Sequence, residues 1–129
     1  MKAINIEVNR TGFPVTLAGI EFFFDCSTEH IEKYESKYVE VEKKLKELDE
    51  NDSIDSQKEA LQLGYDVMLG EGAFDKLYKQ VPDLLAWINA FFDLSSGIGK
   101  NVDEFKKEQE QKSNQLKSKY LNKKSKKKG

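Results

Sequence analysis

The sequence predicts a mainly α protein with a small N-terminal antiparallel β-meander, and three observations carry that expectation. Apolar and polar residues alternate over 4–9 (INIEVN) and again through 15–24, the two-residue period of strands. From Ile31 onward the apolar spacing lengthens to three and four residues, the period of helices. Only 2 prolines interrupt the 129 residues, and the long charged runs are built from Lys, Glu, Leu and Gln, all good helix formers. With 38% hydrophobic and 34% charged residues, the chain can build one modest core under a heavily hydrated surface.

Ile4, Ile6 and Val8 share one face of the first predicted strand. RTGFP (10–14) reads as a turn, because Gly12 tolerates positive φ and Pro14 stops a ladder. VTLAGIEFFFD (15–25) then resumes as strand, with a tight reversal at Ala18–Gly19. Val15 and Leu17 precede that reversal, and Ile20, Phe22 and Phe24 follow it with period two. A meander of two or three strands within 1–25 is not stable alone in water, so its apolar face must lie on a helix.

Ser27 or Thr28 caps that helix, with Glu29 in the first turn complementing the helix dipole. Ile31, Tyr34, Tyr38, Val41, Leu45 and Leu48 follow at alternating spacings of three and four, a heptad seam. Such a seam lies either on the chain's own core or against its copy in another subunit, so these six are the candidate self-association residues. DENDSID (49–55) reads as a loop. Ser56 with Glu59 matches a capping box, with Ser53 as a cap one turn earlier. The second helix runs to Leu69 with Ile54, Leu61, Tyr65 and Met68 on one face, and Gly70 ends it.

GEGAFDKLYKQVPD (70–83) poses a choice between a phosphate-binding loop and a bend. A phosphate loop follows a strand, carries more glycines and opens its helix with Lys-Ser/Thr. Here a helix precedes, only Gly70 and Gly72 are present, and Glu71 repels phosphate. Gly70, Gly72 and Pro82 are therefore helix breaks. Between them Phe74, Leu77, Tyr78 and Val81 give a short helix one apolar face. Pro82 suits the first position of the next helix, with Asp83 in its first turn. LLAWINAFFDL (84–94) is apolar almost all round and reads as the core helix. SSGIGKN (95–101) reads as another break. A last helix then holds Val102, Phe105, Leu116, Tyr120 and Leu121, while KKEQEQKSNQ (106–115) has no apolar residue. The expected organisation is a helical domain over 1–100, a solvated helix or linker over 101–121, and a disordered Lys-rich tail over 122–129.

Little in the sequence suggests chemistry. The carboxylates sit on lysine-rich helical faces, where i,i+4 pairing is their ordinary role. His30 has only Ser27 and Cys26 nearby in sequence and no nucleophile arrangement. Cys26 and His30 would be two ligands, too few for a zinc site, and the sequence holds no further Cys or His. No catalytic, metal or cofactor-binding residue is expected, and the protein reads as a non-enzyme. One cysteine fits a reducing compartment, and no window approaches the roughly 20 apolar residues of a membrane span.

The net charge of −2 conceals an asymmetry. KSKYLNKKSKKKG (117–129) holds seven lysines and no acid, leaving 14 basic against 23 acidic residues in the body. The tail reads either as a solubilising end or as a weak attraction for nucleic acid, without arginines to strengthen it. The rival functional reading is a small dimeric nucleic-acid-associated or regulatory protein that uses this tail and the 31–48 seam.

The run MLGEGAFDKLYKQVPDLLAWINAFFDLSSGI (68–98) resembles the tail assembly chaperones of long-tailed phages and prophages of Gram-positive bacteria. The strand-rich start, acidic helices and lysine-rich end agree with it, over roughly 4–100. The resemblance implies a chaperone that binds the tape measure protein, keeps it extended and soluble, and promotes tail tube polymerisation. It implies action in the cytoplasm of the bacterial host and absence from the mature virion. It also implies a longer product of ribosomal frameshifting that recruits tail tube protein, and KKKG is a sequence that a slippery adenine run can encode. A client of this kind needs aromatic grooves between helices. Tyr65, Phe74, Tyr78 and Phe91 are the candidate groove residues, and a homo-oligomer is expected along so long a client.

Overall fold

The computed structural model describes residues 1–49 and 52–128, with side chains described through Leu121. The element order is β1 (Gly12–Leu17), β2 (Ile20–Asp25), α1 (Thr28–Glu47), α2 (Ile54–Leu69), α3 (Ala73–Gln80) and α4 (Leu84–Lys128). The chain divides into two compact units, Met1–Asp93 and Leu94–Gly129.

In the first unit β1 and β2 form a two-stranded antiparallel hairpin, pairing Phe13 with Phe24, Val15 with Phe22 and Leu17 with Ile20. The reversal falls at Ala18–Gly19 as expected, with φ of 50° and 78°, the paired positive angles of a type I′ turn. A two-residue loop sets the register so that even-numbered β1 positions and odd-numbered β2 positions turn their backbone groups outward. Pro14 therefore faces away from β2, where its missing N–H breaks no ladder bond. That is why RTGFP is not the expected turn: its Gly12-Phe13-Pro14 lies inside β1. Gly12 is required there, since a Cβ would stand 2.2 Å from the Phe24 carbonyl oxygen.

Residues 1–11 form no strand. The expected meander is a hairpin preceded by an arm outside any strand, with no turn between INIEVN and β1. Ile4, Ile6 and Val8 are 84%, 77% and 90% exposed.

Ser27 caps α1, its hydroxyl accepting from the His30 N–H at 3.4 Å. Asp25 reinforces the corner: its carboxylate accepts from the Ser27 N–H at 2.8 Å, the chief reason its pKa is lowered. His30 Nδ1 donates to the Asp25 carbonyl at 2.6 Å, and its ring meets Phe24 edge-on. Tyr34 does the same from one turn further on. The buried end of the hairpin thus rests on the first two turns of α1. Ile31, Tyr34 and Val41 are buried and Tyr38, Leu45 and Leu48 partly so, placing the seam on the chain's own core.

The cap of α2 is Ser53, whose hydroxyl accepts from the Ser56 N–H at 3.1 Å. Ser56 is inside the helix, and Ile54, in the first turn, is 64% exposed rather than on the apolar face. Leu61, Tyr65 and Met68 are buried with Ala60 and Gly64. Gly70 ends the helix at φ 109°, as expected. Gly72 (φ 84°) turns the chain into α3, and the Phe74 N–H donates to the Asp66 carboxylate at 3.0 Å. GEGAF is thus a helix-to-helix bend whose orphan donor is satisfied from α2.

Pro82 lies two residues before α4 rather than at its first position. Asp83 is the cap, accepting from the Ala86 N–H at 3.2 Å. Over 84–93 the helix is not buried all round. Trp87 and Phe91 are buried, whereas Leu85 and Phe92 are 65% and 64% exposed.

The second unit is the remainder of α4. The break expected at 95–101 is absent, because Gly97 and Gly99 are accommodated within the helix. Each glycine costs a helix only about 1 kcal/mol, which a long run of good formers offsets. Residues 106–121 are exposed throughout. The side chains of the Lys-rich tail, 122–129, lie outside the described residues.

Candidate functional site

The aromatic residues predicted to line a groove divide into two groups. Tyr65, Phe74 and Phe91 are buried and form one cluster: the Tyr65 ring stacks on Phe74 at 5.6 Å and meets Trp87 and Phe91 edge-on at 5.7 and 5.6 Å. Its polar tips are satisfied inside the core. The Tyr65 hydroxyl donates to the Trp87 carbonyl at 2.6 Å, and Trp87 Nε1 donates to the Val81 carbonyl at 2.6 Å. Burial raises the Tyr65 phenol's pKa, holding it neutral. Tyr65 and Phe74 are therefore core residues, and a guest chain does not reach them. Tyr78 is half-buried beside Phe74, with the Lys58 ammonium 4.4 Å from its ring centre.

The recess that the fold does leave open lies elsewhere. A cleft of about 210 Å³ is lined by Leu45, Leu48 and Asp49 at the end of α1, Gln57 and Leu61 on α2, and Ile88, Phe91 and Phe92 on α4. Of the predicted groove residues only Phe91 reaches it. Leu45 and Leu48, expected to serve self-association, supply its α1 wall. Ile88 and Phe92 were missed as site residues because their helix looked uniformly buried. The available signal was the excess of apolar residues over what one helix face can bury. The floor is apolar, while Asp49 and Gln57 put polar groups at the rim. That combination suits an apolar side chain delivered on a polar backbone.

Other hollows carry charges of both signs, such as the one lined by Lys37, Glu40, Asp66 and Glu71. Cys26 is buried, and burial followed by the nearby Asp25 charge pushes its thiol up, away from the reactive thiolate. Among the described residues no group of three His, Cys, Asp or Glu is placed to hold a metal ion, and no helix is long and apolar enough to cross a membrane.

Fold and cleft together define a small helical protein with a β-hairpin and an apolar, helix-lined recess. The chain belongs to DUF6673, a family of unknown function, whose model matches residues 18–129. No curated protein and no solved structure matches it.

Proposed function

We propose that the protein is a non-catalytic phage tail assembly chaperone that holds an apolar face of the tape measure protein in the cleft between α1, α2 and α4. The observation that carries this reading is Phe92, a large aromatic 64% exposed at the edge of an apolar recess walled by three helices. A guest helix seats one large side chain in the recess and lays its flank along Phe92, the helix-in-groove mode of recognition. The resemblance of 68–98 to tail assembly chaperones supplies the client class, and α3 with the start of α4 forms most of that run. The protein would act in the host cytoplasm as several copies per client and would leave before the virion is complete. The tail tube protein would be recruited through a frameshifted longer form.

The test is binding of a fluorescent amphipathic peptide from a tape measure protein, followed by anisotropy across a salt series. Apolar docking predicts affinity that persists as salt rises, and Phe92→Lys should weaken it about tenfold or more, about 1.4 kcal/mol. Failure to bind, or indifference to Phe92→Lys, would overturn the cleft assignment. Binding of nucleic acid that collapses steeply with salt, with no peptide binding, would favour the rival nucleic-acid reading.

A further inference from the structure

The N-terminal arm and the hairpin each lack something that the other kind of segment supplies. Residues 4–9 alternate as a strand does, yet Ile4, Ile6 and Val8 are 77–90% exposed and the backbone over 1–10 joins no ladder. The hairpin is a sheet of only two strands, and on its apolar face Phe24 alone is fully buried. Val15, Leu17, Ile20 and Phe22 are half-covered. Three exposed apolar side chains in strand register and a half-covered apolar sheet face have the same two-residue period.

The arm does not reach its own sheet's open edge. Pro14 removes the outward donor from the middle of the β1 edge, leaving β2 as the edge with outward N–H groups at Glu21 and Phe23, ahead of Asp25, whose carbonyl accepts from His30. Reaching that edge from the β1 line means crossing two strand spacings, about 9.6 Å. Thr11 stays on the β1 line through its bond to the Cys26 N–H, so the crossing to a strand of residues 2–9 starts there, and the two steps from Thr11 to residue 9 span at most about 7 Å. Thr11 and Arg10 are both already committed. The Thr11 carbonyl accepts from the Cys26 N–H at 2.9 Å, and the Arg10 guanidinium lies 3.5 Å from the Asp25 carboxylate and 4.9 Å over the Phe23 ring. The base of the arm is thus fastened to the hairpin while its outer residues project from it.

We infer that residues 2–9 of one copy add as a strand to the β2 edge of a second copy, with Ile4, Ile6 and Val8 continuing the apolar face begun by Phe22 and Phe24. The interaction surface is the β2 edge at Glu21 and Phe23, since the Asp25 carbonyl already accepts from His30 Nδ1, and the occupant is the arm of another chain of this protein. This inference does not depend on what the cleft binds.

Two single variants and their mixture test it, each variant checked by circular dichroism for an unchanged helical signal. Ile6→Lys spoils the arm and leaves the edge intact. Glu21→Pro removes an outward N–H that the hairpin itself does not use and leaves the arm intact. Light scattering coupled to size exclusion should give a wild-type mass of two chains or more and a mass near 14.8 kDa for each variant alone. Mixing the two variants should restore a two-chain species, because one contributes the arm and the other the edge. Deletion of residues 2–9 should reproduce the Ile6→Lys result if that substitution disturbs folding. A monomeric wild type, a variant that keeps the wild-type mass, or two monomeric variants that do not combine would each overturn the inference.

Discussion

The Tyr65 hydroxyl donates a 2.6 Å hydrogen bond to the Trp87 backbone carbonyl, tying the middle of α2 to the first turn of α4. The carbonyl has two acceptor sites and keeps its helical partner when the hydroxyl is lost. Tyr65→Phe should therefore cost only the net value of one hydrogen bond, about 1 kcal/mol. Tyr65→Ala, which also empties the ring's place among Phe74, Trp87 and Phe91, should cost about 3–5 kcal/mol. Urea midpoints of the two variants decide it. Equal losses would mean that the hydroxyl rather than the ring joins the helices.

The same phenol and that of Tyr34 are both raised by burial, with neighbouring charges adding to the effect at Tyr34. A group whose folded pKa lies above its unfolded value contributes stability below the unfolded value and loses it as pH rises. Stability should hold through neutral pH and fall from about pH 10 upward, where the unfolded phenols ionise. Tyrosinate absorbance should then appear together with the loss of helical signal. Ionisation of all five tyrosines before any unfolding would contradict the buried, neutral assignment of these two.

Gly64 lies where α2 packs tightly against Phe91 and Val41. A Cβ at this position would stand 2.5 Å from Phe91 Cε2 and 3.3 Å from Val41 Cγ1. Gly64→Ala gains helix propensity but overpacks the contact of α2 with α1 and α4, and the second effect is the larger. Net destabilisation of about 1–3 kcal/mol is expected by thermal or urea unfolding. A stabilised Gly64→Ala protein would show that the helices are not held this close.

Gly97 gives the opposite sign. It lies inside α4 with nothing within 4 Å of where a Cβ would stand. Gly97→Ala should raise helix content and stabilise by about 0.5–1 kcal/mol. A drop in helicity would restore the chain break that the sequence suggested there.

Local signals were the legible ones. Ser27 as a cap, the Ala18–Gly19 reversal and Gly70 as a terminator each depend on a few neighbouring residues, and each fell where expected. The seam from Ile31 to Leu48 was legible as periodicity, but its partner was not, because spacing shows which residues share a face and not what covers it. Gly97 and Gly99 misled for a related reason: a glycine's cost is local, whereas a helix's persistence is summed over its length. The cleft was the least legible feature. It exists only because Leu45 and Leu48 meet Ile88 and Phe92 across some forty residues of chain, and no local pattern announces such a meeting.

Pro14 has a consequence for what the protein avoids. Fibrils grow when each molecule offers two open strand edges, one for the copy before it and one for the copy after. Pro14 sits on the outward edge of β1, so two hairpins can join side by side only through β2. A four-stranded sheet formed that way presents a proline at both of its margins. Growth of this kind terminates itself after one step, which lets β2 keep Phe23 exposed without seeding a fibre.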